Sequence, residues 1–394
     1  MNVVWEGRAV HPWPEVAALQ ASAAERFRAE GFPGRKHEAW KYTSVLALEK
    51  ADLAETAAAP EVGLHTGASV GLASWADAAH RAAARAHLGR LATLAGAPLT
   101  ALNTACFGDA LCIHVPRGVR IEAPIEVRWV GASGGDVQYP RVLIVAENHS
   151  DFSVIEHFDG LGDGLGLTNA VTEIAVGEGA TVRYSRVQAD RPGAWQIGRV
   201  AVEVGRDATF HGGLLNLGAA LSRIELDVTL VGTGAEARLH GLFAGTGAQH
   251  LDQHITVTHQ SPRATSYQDF RGILGPGARG VFTGRVNVTP GAHHTRAEQQ
   301  NRNLLLDPTA HVDTRPQLEI LNDDVQCSHG ATIGRLDETA LFYLRARGID
   351  LPEARRLLTT AFAAPILEAL ADEGVQTLAR TWLERVAPPT GAPA

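Results

Sequence analysis

The chain has 394 residues, of which 45% are apolar and 20% charged, so it is long enough for two or three domains with a sizeable core. Its 35 lysine and arginine residues against 43 acidic residues give a formal charge of −8 without any basic block, which argues against a nucleic-acid partner. The three cysteines follow no disulfide framework, so we expect a protein of the reducing cytoplasm.

The N-terminal region, residues 1–110, is expected to be helical with a connector. It shows no basic segment followed by an apolar one, so we expect no signal peptide. Its Ala-rich stretch lacks a clear pattern, whereas the flanking stretches carry helix-start signals and apolar residues at helical spacing. The expected elements are a helix from Pro14 to Gly31, a connector over 51–70, a helix from Ser74 to about Gly96 and a shorter helix from about Thr100.

Residues 111–333 are predicted to form a long β core, because short runs rich in Val, Ile and Thr are cut by Gly, Asp and Pro. No apolar run in the chain reaches the roughly 20 residues of a membrane span. A short signature recurs in the core: an apolar residue, Gly or Asp, two turn-type or polar residues, then Ala. Its copies start 28, 27, 43 and 32 residues apart: VGEGA from Val176, VGRDA from Val204, VGTGA from Val231, LGPGA from Leu274 and LDPTA from Leu306.

The spacing of these copies favours a β-solenoid, since periods of roughly 20 to 50 residues are typical of stacked structural units. Strands flank each copy and no helix intervenes, so a helical repeat does not fit. The alternative is a β-sandwich whose hairpins share turn chemistry, because Gly-x-Gly turns are common in β proteins.

Residues 334–387 are predicted to be helical again. Pro352 is suited to the first turn of a helix, and Pro365 is expected to kink or restart that helix. A final helix is expected from about Gly374 to Val386. The remaining residues, 388–394, are expected to be a disordered tail.

Histidines are dense in the second half of the β core, but their spacing gives no complete metal site. His250 and His254 would share one strand face and could approach one ion, yet nothing nearby completes a four-ligand set. The alternative is solvent-facing strand histidines. The adjacent pair His293-His294 lacks the His-x-His pattern of cupin-type metal sites.

Two further stretches carry polar groups that could support chemistry. Asp323 and Asp324 are adjacent, so on a strand they would face opposite ways, and the enzyme interpretation is weak. The segment 35–43, RKHEAWKYT, mixes charges with aromatic residues. Composition assigns it no chemistry, and the plain interpretation is that Trp40 and Tyr42 dock on a neighbouring element.

The stretch NDDVQCSHGAT from Asn322 contains the best-defined candidate for a metal or cluster site. In an extended strand Cys327 and His329 share one face, with Cα atoms roughly 6.5 Å apart. Thiolate and imidazole suit zinc or an iron–sulfur cluster, but such sites normally want four ligands. Either another chain supplies the rest, or Cys327 is a small buried group beside a hydrogen-bonded histidine.

Four stretches together resemble the SufD family of the SUF iron–sulfur cluster assembly system. The similarity is close over residues 35–43 and from about His250 to Phe362, whereas residues 50–240 share only the general β pattern. In chain order the stretches are RKHEAWKYTS, HLDQHITVTHQSPRATSYQDFRGIL, GVFTGRVNVTPGAHHTRAEQQNRNLLL and NDDVQCSHGATIGRLDETALFYLRARGI.

The resemblance implies a mainly β fold, with a right-handed parallel β-helix core flanked by N-terminal and C-terminal α-helical regions. It implies a scaffold that pairs with a SufB-like subunit through the β-helix. A SufC-like ATPase would dock on the C-terminal helices, about Leu336 to Val386. The chain lacks a phosphate-cradling Gly-x-x-x-x-Gly-Lys-Ser/Thr sequence, so ATP hydrolysis is expected to belong to that partner.

The resemblance also implies a role for His329, the histidine of the family's CSHGAT motif. It would help to hold a transient iron–sulfur cluster at the subunit interface, with a cysteine supplied by the SufB-like partner. The resemblance assigns a role in holding the cluster less firmly to Cys327. The resemblance leaves open the cluster type, whether a flavin binds in the complex and whether the isolated chain forms a homodimer.

Two other functions remain as alternatives at this point. A carbohydrate-active enzyme on a β-helix would need carboxylates converging on one face. A purely structural subunit would use His329 for packing alone.

Overall fold

The computed structural model describes residues 11, 13–34, 36–62, 68–72, 78–160, 164–370 and 372–387. The expected disordered tail, 388–394, and the expected helix start at Ser74 lie outside these residues.

The described helices lie before and after the β core. They are α1 (Pro14–Glu30), a 3₁₀ turn (Glu38–Trp40), α2 (Leu46–Lys50), α3 (Ala78–His87), α4 (Pro98–Cys106), α5 (Glu338–Arg345), α6 (Leu351–Ala369) and α7 (Glu373–Val386).

Twenty strands are described. They are β1 (Ala54–Glu55), β2 (Pro60–Val62), β3 (Ser69–Leu72), β4 (Leu111–Val115), β5 (Ile125–Gly131), β6 (Asp136–Gln138), β7 (Arg141–Ala146), β8 (Asp151–Gly160), β9 (Leu167–Val176), β10 (Thr181–Gln188), β11 (Trp195–Val204), β12 (Thr209–Asn216), β13 (Leu221–Leu230), β14 (Glu236–Gly245), β15 (His250–His259), β16 (Thr265–Leu274), β17 (Arg279–Val288), β18 (Thr295–Leu305), β19 (His311–Ile320) and β20 (Val325–Gly334).

The core is a parallel β-solenoid of about 8 turns, as predicted from the repeats. From β7 onward, successive strands alternate between two sheets. We call sheet A the one in the order β19-β17-β15-β13-β11-β9-β7-β4-β3, and sheet B the one in the order β2-β5-β8-β10-β12-β14-β16-β18-β20. All pairs from β7 to β20 are parallel, which a sandwich built from hairpins would not show.

The recurring signature forms corners of the solenoid. Each copy follows a strand of one sheet and precedes a strand of the other. Its alanine is buried and donates its N–H to the carbonyl three residues earlier, so only a small side chain fits inside the turn. The residue before the alanine takes a positive φ in four copies, which explains Gly or Asp there. These positions are Gly179, Asp207, Gly234 and Gly277.

The two ends of the solenoid differ. At the first end, β2 pairs antiparallel with β5, and β3 pairs antiparallel with β4. The stretch 51–70, expected to be a connector, therefore contributes short strands where it is described. Strands of two to four residues are too short to show a two-residue alternation in sequence. At the second end, the longer parallel strands β19 and β20 finish the two sheets of the described residues.

The outer face of sheet A is covered by the N-terminal helices and fixed to them by a buried ion pair. Arg141 on β7 and Glu173 on β9 lie 2.6 Å apart with fully buried side chains. Glu173 also accepts the backbone N–H groups of Gly89, Leu91 and Ala92. These hydrogen bonds fix residues 89–92 as a loop against sheet A. The helix that we expected to reach Gly96 therefore ends at His87.

The outer face of sheet B is covered by α6 and α7, whose apolar side chains pack on Leu215, Leu242 and Ile273. Helix α6 runs through Pro365, so of the kink or restart that we expected the restart does not occur. Buried Ala363, Ile366 and Leu367 flank this proline and pack against the sheet, which holds the helix together across it.

The space between the sheets, here called the lumen, is mostly apolar but contains buried charges. Glu156 on β8 accepts hydrogen bonds from Trp129, Thr172 and Tyr184 at 2.9, 2.9 and 2.5 Å. Arg186 lies 3.6 Å from the same carboxylate. A charge inside a protein is tolerated only with such partners.

Asp190, just after β10, is expected to make stability depend on pH. Burial raises the pKa of its carboxyl from 3.8 to about 6, although Gln188 donates a hydrogen bond to it at 2.8 Å. The folded-state pKa lies above the unfolded one, so this group destabilises the fold progressively as pH rises from about 4 to 6. The penalty is about 3 kcal/mol at neutral pH.

Replacing Asp190 by Asn should therefore stabilise the protein at pH 7 by up to about 3 kcal/mol and have little effect near pH 4. Urea unfolding of both proteins at the two pH values measures the difference. An equal effect at both pH values would show that the carboxyl does not titrate in this range.

Candidate functional site

The candidate site lies at the open end of the solenoid, on the last strand, β20. This strand pairs with β18, and no strand in the described part of the chain pairs with its other edge. The outer edge of β19, beside it on sheet A, is likewise free of any described strand. Three large apolar side chains are exposed at this end: Ile320, Leu321 and Ile333. Free strand edges with exposed apolar groups are typical of surfaces that pair with another chain.

Cys327 and His329 lie on the same face of β20, as the strand alternation predicts. Cys327 packs, half-buried, against the apolar cluster of Val286, Ala297 and Leu318, so this face points into the lumen. His329 lies two residues further on and is exposed, because no further coil covers it.

The two side chains differ in their readiness to bind a metal. Partial burial raises the pKa of the Cys327 thiol, so it stays protonated at neutral pH, whereas ligation needs the thiolate. His329 is a ligand in its neutral form and is open to solvent. Among the described residues, no three His, Cys, Asp or Glu side chains lie together closely enough to hold a metal ion.

The residues just before β20 contact the loop between β17 and β18, which contains His293 and His294. Asp324 pairs with His294 at 3.0 Å, and Asn322 contacts His293 at 3.3 Å. His294 has a positive φ and donates its backbone N–H to the carbonyl of Asp324. The adjacent histidines therefore hold the loops of two coils together.

Two histidines on β15, His250 and His254, face outwards and are used in packing, whereas His259 is buried on the lumen face. His250 contacts Thr43 at 2.8 Å and His254 contacts Arg223 at 3.0 Å. Burial lowers the pKa of both imidazoles. The structure does not bring them together as a metal site.

The described part of the segment 35–43 docks on these strands. Trp40 is buried with its ring 4.0 Å from the Arg223 guanidinium, and Thr43 donates to Asp252 at 2.6 Å. Arg223 is also paired with Asp252. Trp40 thus packs as the plain interpretation proposed, while Tyr42 is half-buried.

The C-terminal helices carry a second exposed apolar surface. Phe342 and Tyr343 on α5 are 74% and 56% exposed, and Leu351 and Leu357 on α6 are also exposed. Here we call these four residues the helical patch. Within the described residues, no helix is both long and apolar enough to cross a membrane.

A large cavity, of about 870 Å³, lies at the opposite end of the solenoid, between β1–β3 and the first coil. Apolar side chains such as Val62, Leu111 and Trp129 line it. Most strands of both sheets separate this cavity from β20. It therefore brings no ligand-type group to the candidate site.

Sequence reasoning missed the polar side chains beneath His329. The lumen faces of β16 and β18 carry Gln268, Gln299 and Asn301, all buried. The signal was present in the run AEQQNRN, where amides occupy positions that the alternation turns inward. Register between strands is needed to place them beside His329.

Comparison with known proteins shows two matching family models. Residues 129–362 match the SufBD core domain of SUF system iron–sulfur cluster assembly, and residues 51–127 match the SufBD protein N-terminal region.

Several curated proteins are similar over the same part of the chain. The iron–sulfur cluster assembly protein SufD of Escherichia coli is 35% identical, covering 68% of this chain and 65% of that protein. SufD of Bacillus subtilis is 31% identical over 73% of this chain and 66% of that protein. An iron–sulfur cluster assembly SufBD family protein of Synechocystis is 33% identical over 68% and 62%. The chain therefore spans about two thirds of the length of these relatives.

Proposed function

The chain belongs to the SufBD family of iron–sulfur cluster assembly proteins, and from this premise we propose that it is a scaffold subunit of a SUF complex. In this proposal the chain works in the cytoplasm and builds and transfers nascent clusters. It performs no catalysis itself, because ATP hydrolysis belongs to an ATPase partner. Family membership favours this function over the carbohydrate-active alternative.

The observation that carries the proposal is the position of His329. It faces the lumen on the last strand, exposed at an edge that pairs with no described strand. A site there can be completed only by groups from outside the described residues, such as a cysteine of a second subunit. His329 would donate one imidazole nitrogen to the cluster, which is cargo here, while Cys327 is at most an auxiliary ligand.

The two apolar surfaces support two partners. The free edges of β19 and β20 suit a SufB-like subunit, whose own parallel coils would continue both sheets. The helical patch suits a SufC-like ATPase, since exposed aromatic side chains are typical anchors of protein interfaces. A flavin in the complex and a homodimer of the isolated chain stay open within this proposal.

Replacing His329 by Ala is expected to lower cluster yield at least tenfold in a complex reconstituted with SufB-like and SufC-like subunits. The reason is that the variant lacks one of the few side chains that would coordinate iron at this site. Cluster formation is followed by its visible absorption, and complex formation by co-purification.

The matched control is His311→Ala, which removes another exposed histidine from the same coil, on β19. Unchanged cluster yield in His329→Ala with an intact complex would refute the site. If the complex itself is lost with the clusters, His329 has the purely structural role instead.

A further inference from the structure

Gln299 on β18 is completely buried, and half of its amide group lacks a partner. Its Nε2 donates to Gln268 Oε1 at 3.1 Å. Its own Oε1 is buried and makes no hydrogen bond with any residue in the described ranges. An unpaired buried acceptor destabilises a fold, so a hydrogen-bond donor for this oxygen matters.

The direction of the Gln299 side chain is set by its surroundings. It fills space left by Gly284 on β17, where a Cβ atom would lie 2.5 Å from the Gln299 amide. The neighbours on β18, Glu298 and Gln300, point to the outer face by strand alternation. Gln299 therefore stays within the lumen, below its open end.

His329 is the residue directly beside Gln299. The two are register partners on β18 and β20 and share the lumen face. Adjacent strands lie about 4.8 Å apart, so a histidine ring can place one N–H against a neighbouring amide oxygen. No described strand lies beyond His329, which leaves its ring free to turn towards either Gln299 or the open end.

We propose that Gln299 is a positioning residue for His329, a role that rests on the function proposed above. Its Oε1 accepts a hydrogen bond from one ring nitrogen of His329 and fixes the tautomer. The second ring nitrogen then presents its lone pair at the open end, towards the partner subunit. Because an amide is uncharged, it orients the ring without holding it in the protonated form, which could not bind a metal.

The first test is an NMR titration of His329 in the isolated chain, with its signals identified by their absence from a His329→Asn variant. Gln299→Glu should raise the pKa of His329 by about one unit or more, because a carboxylate replaces the amide at the same place. Gln300→Glu makes the same change on the outer face and should shift that pKa by less than about 0.3 units. Equal shifts in the two variants would overturn the proposal.

The second test remains decisive if the buried carboxylate prevents folding. Nitrogen-15 spectra of neutral His329 should show one dominant tautomer in the native chain and a mixture in Gln299→Leu, with Gln300→Leu resembling the native chain. An unchanged tautomer ratio in Gln299→Leu would overturn the hydrogen bond. Neither test uses a partner or a cluster, so a failure here leaves the role of His329 in cluster assembly standing, and the reverse also holds.

Discussion

Replacing Glu173 by Ala is expected to lower the free energy of unfolding by about 3–5 kcal/mol, because it leaves the Arg141 guanidinium charged and buried without its counter-ion. The same change leaves the backbone N–H groups of Gly89, Leu91 and Ala92 without their acceptor. Urea unfolding followed by circular dichroism measures the loss.

Two control variants separate charge from packing at this site. Glu173→Gln keeps an acceptor oxygen and should cost less than Glu173→Ala. The double variant Arg141→Met/Glu173→Leu removes both charges and should recover much of the stability, although Asn103 and Thr104 then lose their donor. A loss of unfolding free energy below about 1 kcal/mol in Glu173→Ala would show that the ion pair contributes little to the attachment of the N-terminal helices to sheet A.

Replacing Leu367 by Ala is expected to cost about 2–5 kcal/mol, since this side chain on α6 is completely buried against sheet B. The cavity would lie between the helical layer and the solenoid. Thermal and urea unfolding measure the global loss, and hydrogen exchange of α6 and α7 shows whether the helices detach first.

Leu357→Ala is the matched control on the same helix, because Leu357 is exposed. It should change stability by no more than about 0.5 kcal/mol. As part of the helical patch, it should nevertheless weaken retention of the proposed ATPase partner in co-purification. Equal destabilisation by the two variants would contradict the assignment of inner and outer faces of α6.

The solenoid was predictable because its corners repeat in the sequence. The repeated corners share a small buried residue, and four of the five also have a residue with positive φ, so these local requirements leave a visible signature at positions such as Val204 to Ala208. The cap at the first end was not predictable. β2 and β3 are short, and their pairing with β5 and β4 depends on contacts between distant residues.

The candidate site was predictable only in part. Strand alternation placed Cys327 and His329 on one face, and the structure has them there. It could not show that β20 is the last strand, nor that Gln299 lies beside His329, because both depend on register across about 30 residues. The continuity of α6 through Pro365 likewise depends on packing that no local rule describes.

The unequal ends of the solenoid also limit how many copies can join. A filament needs two complementary ends on every unit, but among the described residues the first end finishes in the short antiparallel strands β2 and β3, whereas the longer parallel strands β19 and β20 finish the second. Two SufBD-type chains that met at their second ends would therefore present only the short antiparallel strands to a third chain. Strands of three and four residues offer little edge for pairing, so such a pair of solenoids would be a poor template for further growth.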